Sequence, residues 1–481
     1  GNFLPIGFFR TFLLGVSHFG SFNQIIMGTL THMFTVFCAR AKHMPVYCAR
    51  VCAPEVCASA VHAQQGDDTK VEEQGIEISV KGGAKRTLIP IAISPAQGDS
   101  GKISKRVEEL LRKDMELAGY FKLIPSDGLF FDPAKEGMSA DKINFSNWAN
   151  VNAQGLVKVS IKEESKGKVT LDLRLYNVDK SERIRLKFDP STASKDTFEA
   201  QVHDFANAVV EYYTGQRGMF GSQIAYVRRN KSGLKQVYVT DMSGEVNRNV
   251  SKNESINLLP SWGAGSLYYT SYQDQNPDLW VYKGGKHSKL SGRRGQNSGA
   301  SYCGGKLALT LSMGGENTDI YLIDPSSGKQ VKRLTDHWAI DTSPTFSPDC
   351  SQIAFVSGRS SSPQIYVMDA DGSNQRRLTY QGKYNTTPDW SPKGDVIAFT
   401  ARDERNNFDI FTVDLNGSIE RLTQDQGNNE DPSYSPDGRY LVFTSDRGSG
   451  RGQGLWIMTS DGQYQREIGS GGGYGSPAWQ R

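Results

Sequence analysis

Cysteine and histidine are scarce in this chain, and most of both sit at one end. Of 481 residues, 6 are cysteine and 7 histidine. Cys38, Cys48, Cys52 and Cys57, with His18, His32, His43 and His62, all precede residue 64. Everything after that point must work with His203, His287, His337, Cys303 and Cys350. The early group His43, Cys48, Cys52, Cys57 and His62 matches no pair of C-x2-C knuckles, and its segment is too short to fold around an ion, so no metal is assigned. The usual catalytic signatures are missing too. There is no G-x-S-x-G elbow, no H-E-x-x-H, no P-loop and no G-x-G-x-x-G opening a helix. No catalytic residue and no cofactor is expected.

Surplus charge is also lacking. The formal net charge is +3, but Arg10, Arg40, Lys42 and Arg50 face only Glu55 in the first 63 residues. Taking these from 55 cations and 52 acids leaves 51 of each afterwards, which removes any electrostatic case for nucleic acid.

Residues 1–63 are apolar and poor in acids, and they end in Ala60-Val61-His62-Ala63-Gln64. Small residues at −3 and −1 predict an export leader cleaved between Ala63 and Gln64. The apolar stretch 11–39 is broken by polar residues, and Met27, Met33 and Met44 are candidate starts.

Glycine, with 50 residues, is what the chain has in plenty, and it punctuates a repeat. Residues 342–357 (TSPTFSPDCSQIAFVS), 386–401 (TTPDWSPKGDVIAFTA) and 431–445 (DPSYSPDGRYLVFTS) place Ser-Pro pairs at Ser347, Ser391 and Ser435, 44 residues apart. Each is followed by an apolar strand and then a second one, such as QIYVMDADG at 364–372. A polar strand such as Arg376-Arg377-Leu378-Thr379 closes the unit. Weaker copies run back to about Phe220, making six units of four strands with Asp-Gly or Asn-Gly turns. This is the pattern of a six-bladed β-propeller. The first unit begins at its second strand, and the missing strand reappears as Gly475-Ser476-Pro477-Ala478-Trp479, so the last strand is expected to close the ring. Trp262, Phe346, Trp390, Tyr434 and Trp479 recur at one position and predict packing between blades. Asp369-x-Asp371-Gly372 predicts a hairpin turn rather than a calcium loop.

Residues 64–217 read as one α/β domain between the leader and a propeller over 218–481. Strands are predicted at 76–80, 88–93, 155–161 and 169–178. Helices are predicted over 103–118, with Val107, Leu110, Leu111 and Leu117 inward, and over 196–213, with Phe198, Val202, Phe205, Val209 and Tyr212 inward. His203-Asp204 is expected to make a capping or interdomain contact.

The run HDFANAVVEYYTGQRGMFGSQIAYV (203–227) resembles the domain junction of the TolB family, the periplasmic component of the Tol-Pal system. The S-P-D-G, I-A-F-x-S, I-Y-V-M-D and R-x-L-T elements resemble that family's propeller, over about residues 70–481. The resemblance implies a non-enzymatic periplasmic adaptor supporting outer-membrane integrity and invagination during division. It implies binding of the peptidoglycan-associated lipoprotein Pal at the channel mouth and of TolA through an N-terminal strand. It names no nucleic acid, and it implies a monomer apart from these complexes. Other outer-membrane lipoproteins or porins are further candidate partners. The strand falls at Ile76, Glu77, Ile78, Ser79 and Val80, where β-augmentation would recruit TolA. The Pal mouth falls at the loops entering the innermost strands: Gln296, Asn297, Ser298 and Gly299, then Asp341 and Thr342, Asn385 and Thr386, Glu430 and Asp431. Gln296 stands where the family can carry a histidine, and the second and third blades lack Ser-Pro-Asp-Gly.

One alternative is a propeller hydrolase with Asp341 and Glu430 as general acid and base in the channel. Cys303 and Cys350 fall at corresponding loops of adjacent blades, where a disulfide and two free thiols are both compatible with the spacing.

Overall fold

The structure is a computed structural model that describes residues 87–481 apart from 99–100, 128, 165–166, 189–191, 195–196, 316 and 448–451. The leader, the Ala63–Gln64 cleavage site and the strand Ile76–Val80 lie outside the described residues.

Seven strands form the first sheet: β1 Ile89–Ile93, β2 Gln97–Gly98, β3 Phe121–Leu123, β4 Gly155–Glu164, β5 Lys168–Asn177, β6 Glu182–Ile184 and β7 Thr192–Ser194. Their order is β3-β1-β4-β5-β6, with β2 on β4 and β7 on β5. β1 runs parallel to β3 and β4, while β4 and β5 form a ten-residue antiparallel hairpin. Odd-numbered β5 residues (Val169, Leu171, Leu173, Leu175) are buried, as period-2 alternation demands. They face helices α1 (Lys102–Ala118) and α3 (Phe198–Thr214); a short α2 spans Phe145–Asn150. α1 turns Val107, Leu110, Leu111, Met115 and Leu117 inward and ends on Gly119 in the left-handed conformation.

On α3 the predicted inward face is wrong at its end. Tyr212 is 48% exposed, and its neighbour Tyr213 packs instead, edge-on to Phe121 at 5.5 Å. Val202, Ala206, Val209 and Tyr213 recur at four, three and four, so the buried stripe has turned past residue 212.

Six four-stranded sheets follow. From the innermost strand outwards, blade 2 is Asn257–Gly263, Ser266–Ser271, Asp278–Lys283 and Lys286–Ser291. Blade 3 is Asn297–Cys303, Lys306–Leu311, Asp319–Ile323 and Gln330–Arg333. Blade 4 is Asp341–Phe346, Gln352–Ser357, Gln364–Asp369 and Arg376–Arg377. Blade 5 is Asn385–Trp390, Val396–Arg402, Phe408–Asp414 and Ile419–Arg421. Blade 6 is Asn429–Tyr434, Tyr440–Ser445, Gly454–Thr459 and Arg466–Gly469. Blade 1 is built from both ends: Tyr474–Trp479 lies innermost, beside Gln223–Arg229, then Lys235–Asp241 and Arg248–Asn249. Trp479 is in register with Ile224, and Gly475 with Val227. The ring closes as the repeat predicts.

The recurrent aromatics are buried between blades. Phe346 sits in a cluster with Ala308 and Leu322 of blade 3, Trp390 with Ala354 and Val367 of blade 4, and Tyr434 with Ala398 and Ile410 of blade 5. At about 25 cal/mol per Å2, such rings dominate the cohesion of the ring of blades. Backbone N–H groups beside them reach across the seams, from Phe346 to Ser301 Oγ (3.1 Å), Tyr434 to Asp389 Oδ2 (2.6 Å) and Trp479 to Ser433 Oγ (3.1 Å). Trp262 is only half-buried, and its indole N–H reaches Ala478 O at 3.1 Å. Asp369 to Gly372 forms a hairpin turn, closed by Gly372 N–H on Asp369 O.

One continuous core joins the two parts, running from Val107, Leu110 and Phe205 to Ile224, Tyr226, Tyr440 and Trp479. Tyr440 donates its hydroxyl to Ala118 O at 2.9 Å, and Arg439 donates to the carbonyls of Gln216 and Arg217. Lys113 pairs with Glu245 at 2.8 Å, and Arg106 with Glu199 at 2.6 Å. His203 makes neither a cap nor an interdomain hydrogen bond but one within the α/β domain: Nδ1 lies 2.8 Å from Asp114 Oδ2 on α1, both groups buried. Asp204 bridges Arg217 at 2.6 Å.

Candidate functional site: the open mouth of the propeller

Within a blade, strand direction alternates. The loops entering the innermost strands and those joining second to third strands therefore open on one face. The α/β domain occupies the other face: it touches Arg439 and Tyr440 after the first turn of blade 6 and Glu245 in the last turn of blade 1. The mouth containing the expected residues is on the side away from it.

The structure divides those residues into two groups. Asn297, Asp341 and Asn385 begin their strands fully buried, and so does Asn429, one residue before Glu430. Asn297 accepts from Ser291 Oγ (2.6 Å) and donates to Arg293 O and Gly295 O (2.6 and 2.9 Å). Asp341 is clamped by Arg359 at 2.6 Å, and burial pushes its carboxyl up against that pairing. Asn385 donates to Gln364 Oε1 at 2.8 Å, and Asn429 to Asp409 Oδ1 at 2.9 Å. The expectation that Asn297, Asp341 and Asn385 present side chains at the mouth is corrected: a buried amide or carboxylate must spend its bonds internally. Asn297 and Asn385 pin their crossovers to the preceding blade, and Asp341 is held by Arg359 of its own blade.

The R-x-L-T motif belongs to the same device. Thr379 Oγ1 donates to Gln364 Oε1 (2.7 Å) and accepts from Ile365 N–H (2.9 Å). Thr423 does the same with Asp409 and Ile410 N–H (2.6 and 3.0 Å). Arg333 and Arg421 pair with Asp319 and Asp409, acids at the start of the third strands of blades 3 and 5. The signal for this role lay in the repeat itself, in blades 3, 4 and 5, as a polar residue at the start of the third strand and a Thr just after the outer one.

Ser298, Thr386 and Glu430 are also buried. Glu430 accepts from Gln453 Nε2, and burial, with Asp431 beside it, raises its carboxyl to about 8. Gln296, Gly299, Thr342 and Asp431 keep partial exposure. Asp431 Oδ2 accepts from Ser476 N–H at 3.0 Å, and burial raises its carboxyl.

A ring of strained residues accompanies them. Leu259, Gly299, Ser343, Thr387, Asp431 and Ser476 all have φ between 45° and 64°, one in each blade. Each sits in a register slip of its innermost strand. Left-handed backbone at a non-glycine costs about 1–3 kcal/mol, and such residues cluster at functional sites. Only Gly299 escapes that strain. Five of the six precede a proline (Pro260, Pro344, Pro388, Pro432, Pro477), a cue the sequence reading did not use.

An acid–base pair does not form here. Asp341 opens the innermost strand of blade 4 and Glu430 is the second residue of that of blade 6, with blade 5 between them, and Asp341 is committed to Arg359. Among the described residues no group of three or more His, Cys, Asp or Glu could hold a metal, and no helix is long and apolar enough to cross a membrane. Cys303 and Cys350 are joined in a disulfide, with Cα atoms 5.6 Å apart, linking the first turns of blades 3 and 4.

An α/β domain set on one face of a six-bladed propeller, with an open mouth framed by buried polar side chains on the other, defines the class of protein. Two family models match in series: the TolB amino-terminal domain over residues 76–184 and the TolB beta propeller domain over residues 210–481. The chain belongs to the TolB family. It is 39% identical over 267 residues to the Tol-Pal system protein TolB of Anaeromyxobacter dehalogenans (strain 2CP-C), covering 54% of this chain and 59% of that one. To the protein TolB homolog of Chlorobium luteolum it is 34% identical over 299 residues, covering 60% and 66%. It thus spans about three-fifths of the length of these relatives. The crystal structure of TolB from Acinetobacter baumannii superimposes with a TM-score of 0.71 at 27% identity, over 84% of this chain and 98% of that one.

Proposed function

We propose that this chain is a non-enzymatic periplasmic adaptor of a Tol-Pal system. It holds the lipoprotein Pal at the propeller mouth and TolA through Ile76–Val80, and so supports outer-membrane integrity and invagination during division. Export by the 1–63 leader, cut after Ala63, places it there. One observation carries the reading: the face opposite the α/β domain combines six left-handed bulges, five of them strained, with partly exposed Gln296, Gly299, Thr342 and Asp431. Such a surface is shaped for contact, and its buried acids are occupied structurally.

Asn297, Asp341 and Asn385 serve this mouth as its frame, and Ser298, Thr386 and Glu430 line its wall. Purified Pal periplasmic domain should bind the full chain, and Gln296→Arg with Thr342→Arg should abolish that binding at an unchanged melting temperature. Retained affinity in that double variant refutes the mouth assignment. Removal of residues 76–80 should abolish TolA capture alone.

A further inference from the structure

The mouth residues are recessed, and a stable protein interface needs roughly 800 Å2 from each partner. A partner seated on the mouth must therefore spread over the surrounding loops. Those loops are not equivalent. Large exposed apolar side chains on this face are Ile256, Met313, Trp338 and Tyr380, and the last two are 73% and 71% exposed. Met313 lies in the second-to-third loop of blade 3, Trp338 in the crossover from blade 3 to 4, and Tyr380 in the crossover from blade 4 to 5. Exposed aromatics of this size, grouped on one side, mark an interaction surface.

Both rings are held in place without being covered. Trp338 packs on His337 with centroids 5.2 Å apart. His337 is fixed in turn by Asn317, which donates to its carbonyl at 2.6 Å, and by Ala339 N–H on Nδ1 at 3.1 Å. Tyr380 lies under the Arg377 guanidinium at 4.8 Å. A preorganised Trp or Tyr loses little side-chain freedom on binding, which is why these residues dominate interface energies.

We infer that Trp338 and Tyr380 are the outer anchors of the docking face, so that the protein partner sits off the channel axis, over blades 3 to 5, with apolar side chains against both rings. The inference rests on the adaptor reading above and adds where the partner's weight falls.

The test measures affinity of the full chain for purified Pal periplasmic domain, with four variants beside the wild type. Trp338→Ala and Tyr380→Ala should each weaken binding about tenfold or more, and Trp338→Phe should restore most of the loss. Val331→Ala, at an equally exposed apolar residue on an outer strand, should change nothing. Both alanine variants should melt like the wild type, because the rings are exposed. Affinity within about twofold of wild type for both alanine variants overturns the inference and leaves the mouth reading standing. Equal losses from Val331→Ala also overturn it. Absence of binding by the wild type overturns both.

Discussion

Trp479 donates its indole N–H to Ser222 Oγ at 2.7 Å, across 257 positions of sequence, while its backbone pairs with Ile224. That contact closes the propeller and buries the ring against the core shared with the α/β domain. Trp479→Ala leaves a cavity at the one seam where the two ends of the ring meet. It should cost about 3–5 kcal/mol in denaturant unfolding. Removing residues 474–481 should do more, exposing the edge of blade 1 and producing aggregation in sedimentation analysis.

The Cys303–Cys350 bridge closes a sequence separation of 47 residues. Reduction should destabilise the chain by about 2–4 kcal/mol. A Cys303→Ser, Cys350→Ser variant should show the same loss and become indifferent to dithiothreitol in thermal melts.

Glu430 sets a pH dependence. Burial raises its carboxyl to about 8 in the folded chain, against about 4.3 in an unfolded one. Between those values the folded state keeps a proton that the unfolded state releases, so stability falls as pH rises from about 4.3 to 8. Asp341, Asp389, Asp409 and Asp431 are raised by burial as well and add the same sign. Glu430→Gln should therefore unfold at higher denaturant than wild type at pH 8.5, and the difference should shrink towards pH 5. A constant difference across that range would exclude Glu430 as the source.

His203→Ala removes the partner of Asp114 between α1 and α3 of the α/β domain. Burial works against the charged imidazole, but the hydrogen bond and charge of Asp114, with Asp241 and Glu199 nearby, outweigh it and raise its titration. Stranding the Asp114 carboxyl should cost about 3–5 kcal/mol. His203→Gln, which can still donate, should recover part of it.

Much of the fold was legible because the repeat states its own register. Ser347, Ser391 and Ser435 mark equal turns, and the strand ending in Trp479 supplied the missing piece. Side-chain direction at strand starts was less legible. Asn297, Asp341 and Asn385 are small, polar and next to loops, which suits a wet rim equally well. Their burial depends on Ser291, Arg359 and Gln364, brought up from other strands. Tyr212 and Tyr213 differ by one position on a helix, and only the placement of Phe121 chooses between them.

Periodicity alone determined the number of blades, their strand count and the sharing of blade 1 between distant segments, because each blade must bury both faces against another. Tertiary structure decided which face the α/β domain covers, whether the two late cysteines meet, and which polar side chains reach solvent. Those outcomes turn on distances between residues far apart in the chain, and local pattern carries no measure of such distances.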